Sequence, residues 1–315
     1  GAVANVTSPG DKVLVVSVGY FGQRFATMCE RFGCDVTLID YKWGEVAKVA
    51  DVEKALDDDP DIKTVFIQHS ETSTGVVNDI EPIARMVRAH DRLMVVDAIS
   101  SAGAIDIRMD EWGIDVCLGG SQKALGATPG IAFAAIGPRG WQAHAESTAP
   151  RFYWDWSAYK EAAERDDAES PWTPAVSVLA GLAASMRVAK EEGREAILAR
   201  HKLLSKAVKA GVQALGLDLM GEDPERAVVV TTVRTPEGLT DKQIVGLLRS
   251  KYGIIVAPGQ GPLKSQVFRI GHLGWFEPLD ILRFLAALEL VLAELGFTVK
   301  HGSAVAAAEE IFSGN

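Results

Sequence analysis

The stretch "DVCLGGSQKALGATPGIAFAAI" (residues 115–136) sets the terms for the whole chain. Two apolar runs, 115–120 and 130–136, flank a loop rich in glycine and small residues, and one long cation, Lys123, sits inside that loop. Short apolar runs bounded by glycine read as strands buried on both faces. The small residues allow a sharp turn or a close approach to something. Lysine ordinarily belongs on a solvated helix face, so position 123 poses a choice between a surface charge and a chemical group.

Upstream the same pattern repeats. "KVLVVSV" (12–18), "DVTLI" (35–39), "KTVFIQ" (63–68) and "RLMVVDA" (92–98) read as strands. Between them "GQRFATMCERFG" (22–33), "DVEKALDDDP" (51–60) and "NDIEPIARMVRAHD" (78–91) carry helical spacing. Continuous apolar strands alternating with helices indicate an α/β fold whose mostly parallel sheet is sandwiched by helices. Six such strands are expected. From about residue 174 the pattern turns helical, and then "AVVVTTVRTP" (227–236), a helix near 240–252, "GIIVAPG", "VFRIGHLG" and a long helix at 277–296 describe a smaller α+β unit. The expected division is a large domain over 1–180 and a small C-terminal domain over 181–315.

Bulk properties narrow the function. The 315 residues hold 32 Lys and Arg against 42 Asp and Glu, a net charge of −10. That balance argues against nucleic acid or an anionic membrane as the partner. Cys29, Cys34 and Cys117 are the three cysteines, without a CxxC, so neither a disulfide framework nor a zinc site is indicated. A reducing, cytoplasmic setting is the expectation. No apolar run is long enough to span a bilayer. The N-terminal "GAVANVTSPGDKV" reads as the tail of a helix and a turn, as if the chain began inside a domain.

In an open α/β sheet, ligands bind beyond the carboxyl ends of the strands. Three strands here run into distinctive loops: His69-Ser70-Glu71-Thr72-Ser73-Thr74-Gly75, Asp97-Ala98-Ile99-Ser100-Ser101 and Gly119-Gly120-Ser121-Gln122-Lys123. Each has a plain reading on its own. Asp97 suits a turn, Thr72, Ser73 and Thr74 suit the cap of a helix following Gly75, and Lys123 suits a surface. Together, a carboxylate, hydroxyls and a lysine on one rim match the needs of pyridoxal 5'-phosphate. That cofactor requires an amine for its Schiff base, an acid beside the pyridine nitrogen, and small polar groups and backbone N–H for its phosphate. An anionic Asp97 favours the pyridinium. The lysine must be partly neutral, which burial beside other cations promotes.

At these residues the sequence resembles a known family. "VVDAISSAGAIDIRMDEWGIDVCLGGSQKALGATPGIAFAAIG" (95–137), with "HSETSTGVVNDI", "VFRIGHLG" and "GDKVLVVSVGYFGQRFATMCERFG", is similar to class V of the pyridoxal-phosphate-dependent aminotransferases, of fold type I. The resemblance runs in order over nearly the whole chain. The nearest subgroup is that of the alanine–glyoxylate, serine–glyoxylate and serine–pyruvate aminotransferases. It implies that Lys123 is the Schiff-base lysine and moves the substrate α-proton, and that Asp97 partners the pyridinium. Ile99 would pack on one face of the ring and Phe21 on the other. Thr72 would stand beside the cofactor and Gln122 against its phosphate. Thr173 would reach the phosphate across a homodimer interface, and Arg269 would take the substrate carboxylate with a bidentate fork. Plain alternatives stand beside these roles: Phe21 as core, and Thr173-Pro174 as the start of a helix from Ala175. His69 and His272 read as structural, Tyr153 and Trp154 as pocket or lobe-interface residues, and Gln260 and Gly261 as shapers of the loop near Arg269.

Two departures from the family accompany the match. Its N-terminal arm, first strand and Ser-Gly-rich phosphate loop are not in this sequence, so the large domain is expected to be N-terminally incomplete. Ser170-Pro171-Trp172 stands where the subgroup often has Tyr-His-His. The expected function is ping-pong transamination of a small amino acid, alanine or serine, with glyoxylate or pyruvate. A dicarboxylic donor would want a second cation. One alternative is a lyase of the cysteine desulfurase type, which needs a cysteine in the C-terminal half, whereas all three cysteines precede residue 118. The other is a degenerate, non-catalytic homologue acting as an interaction subunit, against which the joint presence of Asp97, Lys123 and Arg269 weighs.

Overall fold

In the computed structural model, which describes residues 1–167 and 169–314, each of the six apolar runs forms a strand. Helix α1 (Ala2–Val6) precedes β1 (Lys12–Ser17), α2 (Tyr20–Arg31), β2 (Asp35–Asp40), α3 (Val49–Asp58) and β3 (Thr64–Gln68). A hairpin of β4 (Ser70–Glu71) and β5 (Val76–Val77) leads into α4 (Ile80–Ala89) and β6 (Leu93–Asp97). Then follow α5 (Met109–Trp112), β7 (Val116–Gly120), β8 (Ala132–Ile136), α6 (Pro138–Glu146) and α7 (Trp156–Ala163).

Six of these strands make one sheet in the order β2-β1-β3-β6-β7-β8, all parallel except the antiparallel edge strand β8. Alternate residues of each strand face opposite helix layers. Leu14, Val16, Val65, Ile67, Met94 and Val96 pack with Val52, Leu56, Ile83 and Val87 of α3 and α4. Val13, Val15, Phe66 and Val95 pack with Phe25 and Cys29 of α2, and with Trp141 of α6. Burial on both faces is why the central strands β1, β3 and β6 read as unbroken apolar runs rather than alternating ones.

Beyond, α8 (Val176–Glu192) and α9 (Arg194–Ala214) lead to β9 (Val230–Arg234), α10 (Asp241–Tyr252), β10 (Ala257–Pro258), β11 (Val267–Gly271), α11 (Pro278–Glu294) and α12 (Ser303–Ser313). Their three strands form an antiparallel sheet in the order β10-β11-β9. It closes a core of its own, with Leu204, Val208, Ile244, Phe268, Leu285 and Leu288 at its centre.

One local expectation changes. No helix starts directly after Gly75; α4 begins only at Ile80. That glycine turns with φ of +80°, its N–H donates to the Glu71 carbonyl at 2.8 Å, and the two β-branched residues Val76 and Val77 pair back onto Ser70 and Glu71. Thr72, Ser73 and Thr74 are therefore the tip of a hairpin, not a helix cap. Among the described residues no helix is long and apolar enough to cross a membrane.

Candidate functional site

The carboxyl ends of β3, β6 and β7 lie side by side, and the three loops meet there. Asp97 closes β6. Its carbonyl accepts the His69 N–H at 2.9 Å, which ties the end of β3 to it, and its Oδ1 accepts the Ile99 N–H at 2.9 Å. A Cβ added at Gly120 would stand 3.1 Å from Gln122 Oε1 and 3.4 Å from Ile99 Cγ2. Ile99 and Gln122 thus both border the glycine at the end of β7, three residues before Lys123.

The Lys123 amine is half-buried and has no hydrogen-bond or ion-pair partner among the described residues. Burial first, then the Arg269 guanidinium, hold its pKa below the ordinary lysine value, against the pull of the Asp97 carboxylate. Asp97 is displaced toward neutrality as well. Burial pushes its carboxyl up to about 6, with Glu71 adding to the effect and the Ile99 N–H, Lys123 and Arg24 opposing it. Lysine and aspartate feel each other's charge, yet they form no ion pair among the described residues. An amine and a carboxyl held near each other and unpaired leave room for a group that engages both.

Arg269, on the middle strand of the small sheet, is buried and reaches across to the loop after β3. Its Nη1 donates to the Thr72 carbonyl at 2.8 Å, and its Nε and Nη2 donate to the Pro258 carbonyl at 3.1 and 3.0 Å. Among the described residues each terminal nitrogen keeps one N–H without an acceptor, and a carboxylate can take two such N–H groups. Thr72 meets Arg269 through its carbonyl rather than its hydroxyl.

Glu71 is a residue whose part the sequence reading missed. It is fully buried. Its Oε2 accepts the N–H groups of Phe21 and Gly22 at 2.9 and 3.1 Å, while its Oε1 accepts the N–H and Oγ of Ser73 at 3.0 and 2.7 Å. Helix α2 begins after Gly19, which has no capping side chain, so the N–H groups of its first turn need an acceptor from elsewhere. Glu71 is that acceptor, and it thereby fixes Phe21 against the hairpin. Burial raises its pKa, and the four hydrogen bonds pull the other way. The signal in the sequence was a glycine at the head of an amphipathic helix with a glutamate in a neighbouring loop.

The small unit also holds the Lys123 loop from outside. Gly126 has φ of +65°, and a Cβ there would fall 2.2 Å from the indole Nε1 of Trp275. The Trp275 N–H donates to Ser185 Oγ at 3.2 Å, and Ser185 in turn donates to the Leu125 carbonyl.

Thr173 is exposed, just ahead of α8, and no hydrogen bond joins it to Asp97 or Lys123 among the described residues. Phe21 is half-buried, edge-on to Tyr20 at 5.5 Å. Tyr153 and Trp154 are exposed, and Tyr153 stacks on Trp172 at 5.8 Å. Burial pushes His69 down to about 4 and His272 down to about 3, so both rings are neutral. His272 Nε2 pairs with Thr231 Oγ1 at 2.9 Å.

The family described as Aminotransferase class-V matches residues 1–268. This chain belongs to that family. A "Soluble hydrogenase, small subunit" of Synechococcus is 40% identical over 99% of this chain and 81% of its own length. An L-aspartate–glyoxylate aminotransferase of Paracoccus denitrificans is 38% identical over 98% of this chain and 79% of its own. The crystal structure of ureidoglycine–glyoxylate aminotransferase from Bacillus subtilis superposes with a TM-score of 0.94 at 31% identity, covering 99% of this chain and 81% of that one. The chain is a pyridoxal-phosphate-dependent aminotransferase, and the family implies the cofactor. The donor set fits it: an unpartnered, half-buried amine at Lys123, and a carboxyl at Asp97 held close to its point of ionisation.

Proposed function

We propose that this aminotransferase moves the amino group of alanine or serine to glyoxylate or pyruvate in two ping-pong half-reactions. The observation that carries the reading is the Lys123 amine, free of any partner among the described residues and set between the charges of Asp97 and Arg269. Pyridoxal phosphate, when bound, supplies the aldehyde that the amine attacks and the electron sink that makes the substrate α-proton labile. Asp97 would stand at the pyridine nitrogen, Ile99 and Phe21 at the two ring faces, and Thr72 and Gln122 at the polar edge.

The remaining steps belong to the protein. The two spare N–H groups of Arg269 grip the substrate carboxylate and present the α-carbon. Lys123 Nζ takes the α-proton, and the burial that lowers its pKa favours the neutral amine this step needs. A single carboxylate-binding fork suits a substrate with one carboxylate. Exposed Val176, Leu179 and Met186, within one sector of the helix, give α8 an apolar face, which we read as the homodimer surface. Thr173, at the head of that helix, would then serve the second copy's site. A desulfurase reading finds little support, because Cys29 and Cys34 are buried and burial pushes the Cys117 thiol up to about 11.

The test is a titration of the protein with pyridoxal phosphate, followed by borohydride and peptide mapping. A visible band that becomes fixed on Lys123 is expected, and its absence in a folded dimer overturns the cofactor assignment for this chain. A donor screen against glyoxylate and pyruvate follows. Alanine or serine should lead, and a clear preference for aspartate or glutamate overturns the substrate class.

A further inference from the structure

A second cavity, of about 350 Å³, opens on the flank of the sheet among α4, α5 and α9. That is the size of a small-molecule site. Of its lining residues only His69 touches the group around Lys123, through the backbone N–H it donates to the Asp97 carbonyl. Val77, Ile80, Ile105, Trp112 and Val228 form an apolar wall. At the wall's edge lies His69, 4% exposed, and neither of its ring nitrogens has a hydrogen-bond partner among the described residues. A buried polar ring left unpaired is costly unless something supplies the missing partner.

The charges of the cavity divide unevenly. Asp79 is paired with Arg226 at 3.0 Å, Glu81 with Arg85 at 2.9 Å, and Glu225 lies 3.7 Å from Lys209. Asp106 is held by Arg108 at 3.0 Å and also by Arg194. Every acid on the wall therefore has its own cation. Lys202 and Lys206 have no acid partner among the described residues. They stand four residues apart on α9, which puts their ammonium groups on one face. The unspent charge of the cavity is two ammonium groups beside an apolar wall and an unpartnered imidazole.

We propose that this cavity is a second ligand site, one that takes a small phosphate monoester with an apolar body. Two point-charge ammoniums match the two charges of a phosphate monoester, whereas a planar carboxylate is better served by an arginine fork. The body of the ligand lies on Trp112 and Ile105. His69, a neutral ring that both gives and accepts a hydrogen bond, meets a polar atom beside the phosphate.

The experiment is calorimetric titration of phenyl phosphate into the holoenzyme, with the cofactor fixed by borohydride so that the reaction site is closed. Saturable binding of one phenyl phosphate per chain is expected. The double variant Lys202→Ala/Lys206→Ala changes only exposed side chains, should fold and turn over normally, and should bind about tenfold or more weakly. His69→Asn should also weaken binding. No saturable heat, an unchanged affinity in the double-lysine variant, or equal binding of succinate overturns the proposal. Binding that disappears when the cofactor is fixed places phenyl phosphate in the reaction site and overturns it as well.

Discussion

The Nη1 of Arg269, in the small sheet, donates to the carbonyl of Thr72, at the hairpin tip beside the large sheet, at 2.8 Å. With the Pro258 carbonyl on the other side, the guanidinium is held by neutral backbone oxygens, and among the described residues no carboxylate forms an ion pair with it. Its charge stays available to an incoming carboxylate and to the Lys123 amine, whose pKa it lowers.

Arg269→Lys should therefore damage turnover without abolishing cofactor binding. An ammonium cannot reproduce the planar fork. A fall of about 100- to 1,000-fold in kcat/KM is expected, or roughly 3–4 kcal/mol. Steady-state kinetics read the fall, and the visible spectrum reads the retained cofactor. Arg269→Met, which removes the cation altogether, should move the Lys123 titration upward in pH.

Asp97→Asn should change how stability depends on pH in the cofactor-free protein. Burial raises the Asp97 carboxyl from 3.8 to about 6. A raised folded-state pKa contributes stability at low pH that is lost as pH rises through the folded value. The wild-type protein should thus lose stability relative to the variant between about pH 4 and pH 6, the two values that bound the shift. Thermal melts across that window measure it. If the two proteins melt in parallel, Asp97 is not buried as described. Because the Asp97 carboxylate raises the Lys123 pKa, the variant should also titrate Lys123 at lower pH.

Gly126→Ala and Gly246→Ala should move stability in opposite directions. At Gly126 the new methyl meets the Trp275 indole in a left-handed backbone, a combination expected to cost about 2–4 kcal/mol. Gly246 lies inside α10 with open space around it, and alanine there should add about 0.5–1 kcal/mol. Denaturant midpoints at constant slope compare them. A Gly126→Ala variant as stable as the wild type would mean that Trp275 does not hold the Lys123 loop.

The centre of the large sheet was legible because burial on both faces writes itself into a strand as an unbroken apolar run, as in β1, β3 and β6; the edge strands β2 and β8 are more exposed and were legible as short apolar runs bounded by glycine or helix. The neighbourhood of Asp97, Ile99, Gln122 and Lys123 was legible for a related reason: residues at the ends of adjacent parallel strands must share a rim. The hairpin after Thr72 was harder. A glycine after three hydroxyl residues is compatible with a helix cap as well as with a tight turn, and only the structure shows Gly75 turning so that Val76 pairs with Glu71. Glu71 was overlooked for a similar reason. Its partners, Phe21 and Gly22, lie far upstream, and a glutamate in a polar loop looks solvated until the fold closes over it.

The sequence by itself determined the α/β architecture, the family and the chemical inventory of the rim, since these follow from periodicity and from residue types at strand ends. Tertiary structure alone decided which groups pair and which stay free. Arg269 rests on carbonyls, Glu71 is consumed by the first turn of α2, and Lys123 is left without a partner among the described residues. The physical reason is that ionisation and pairing depend on distance and on water. Residues far apart in the chain acquire fixed distances, and lose water, only when the two cores pack against one another.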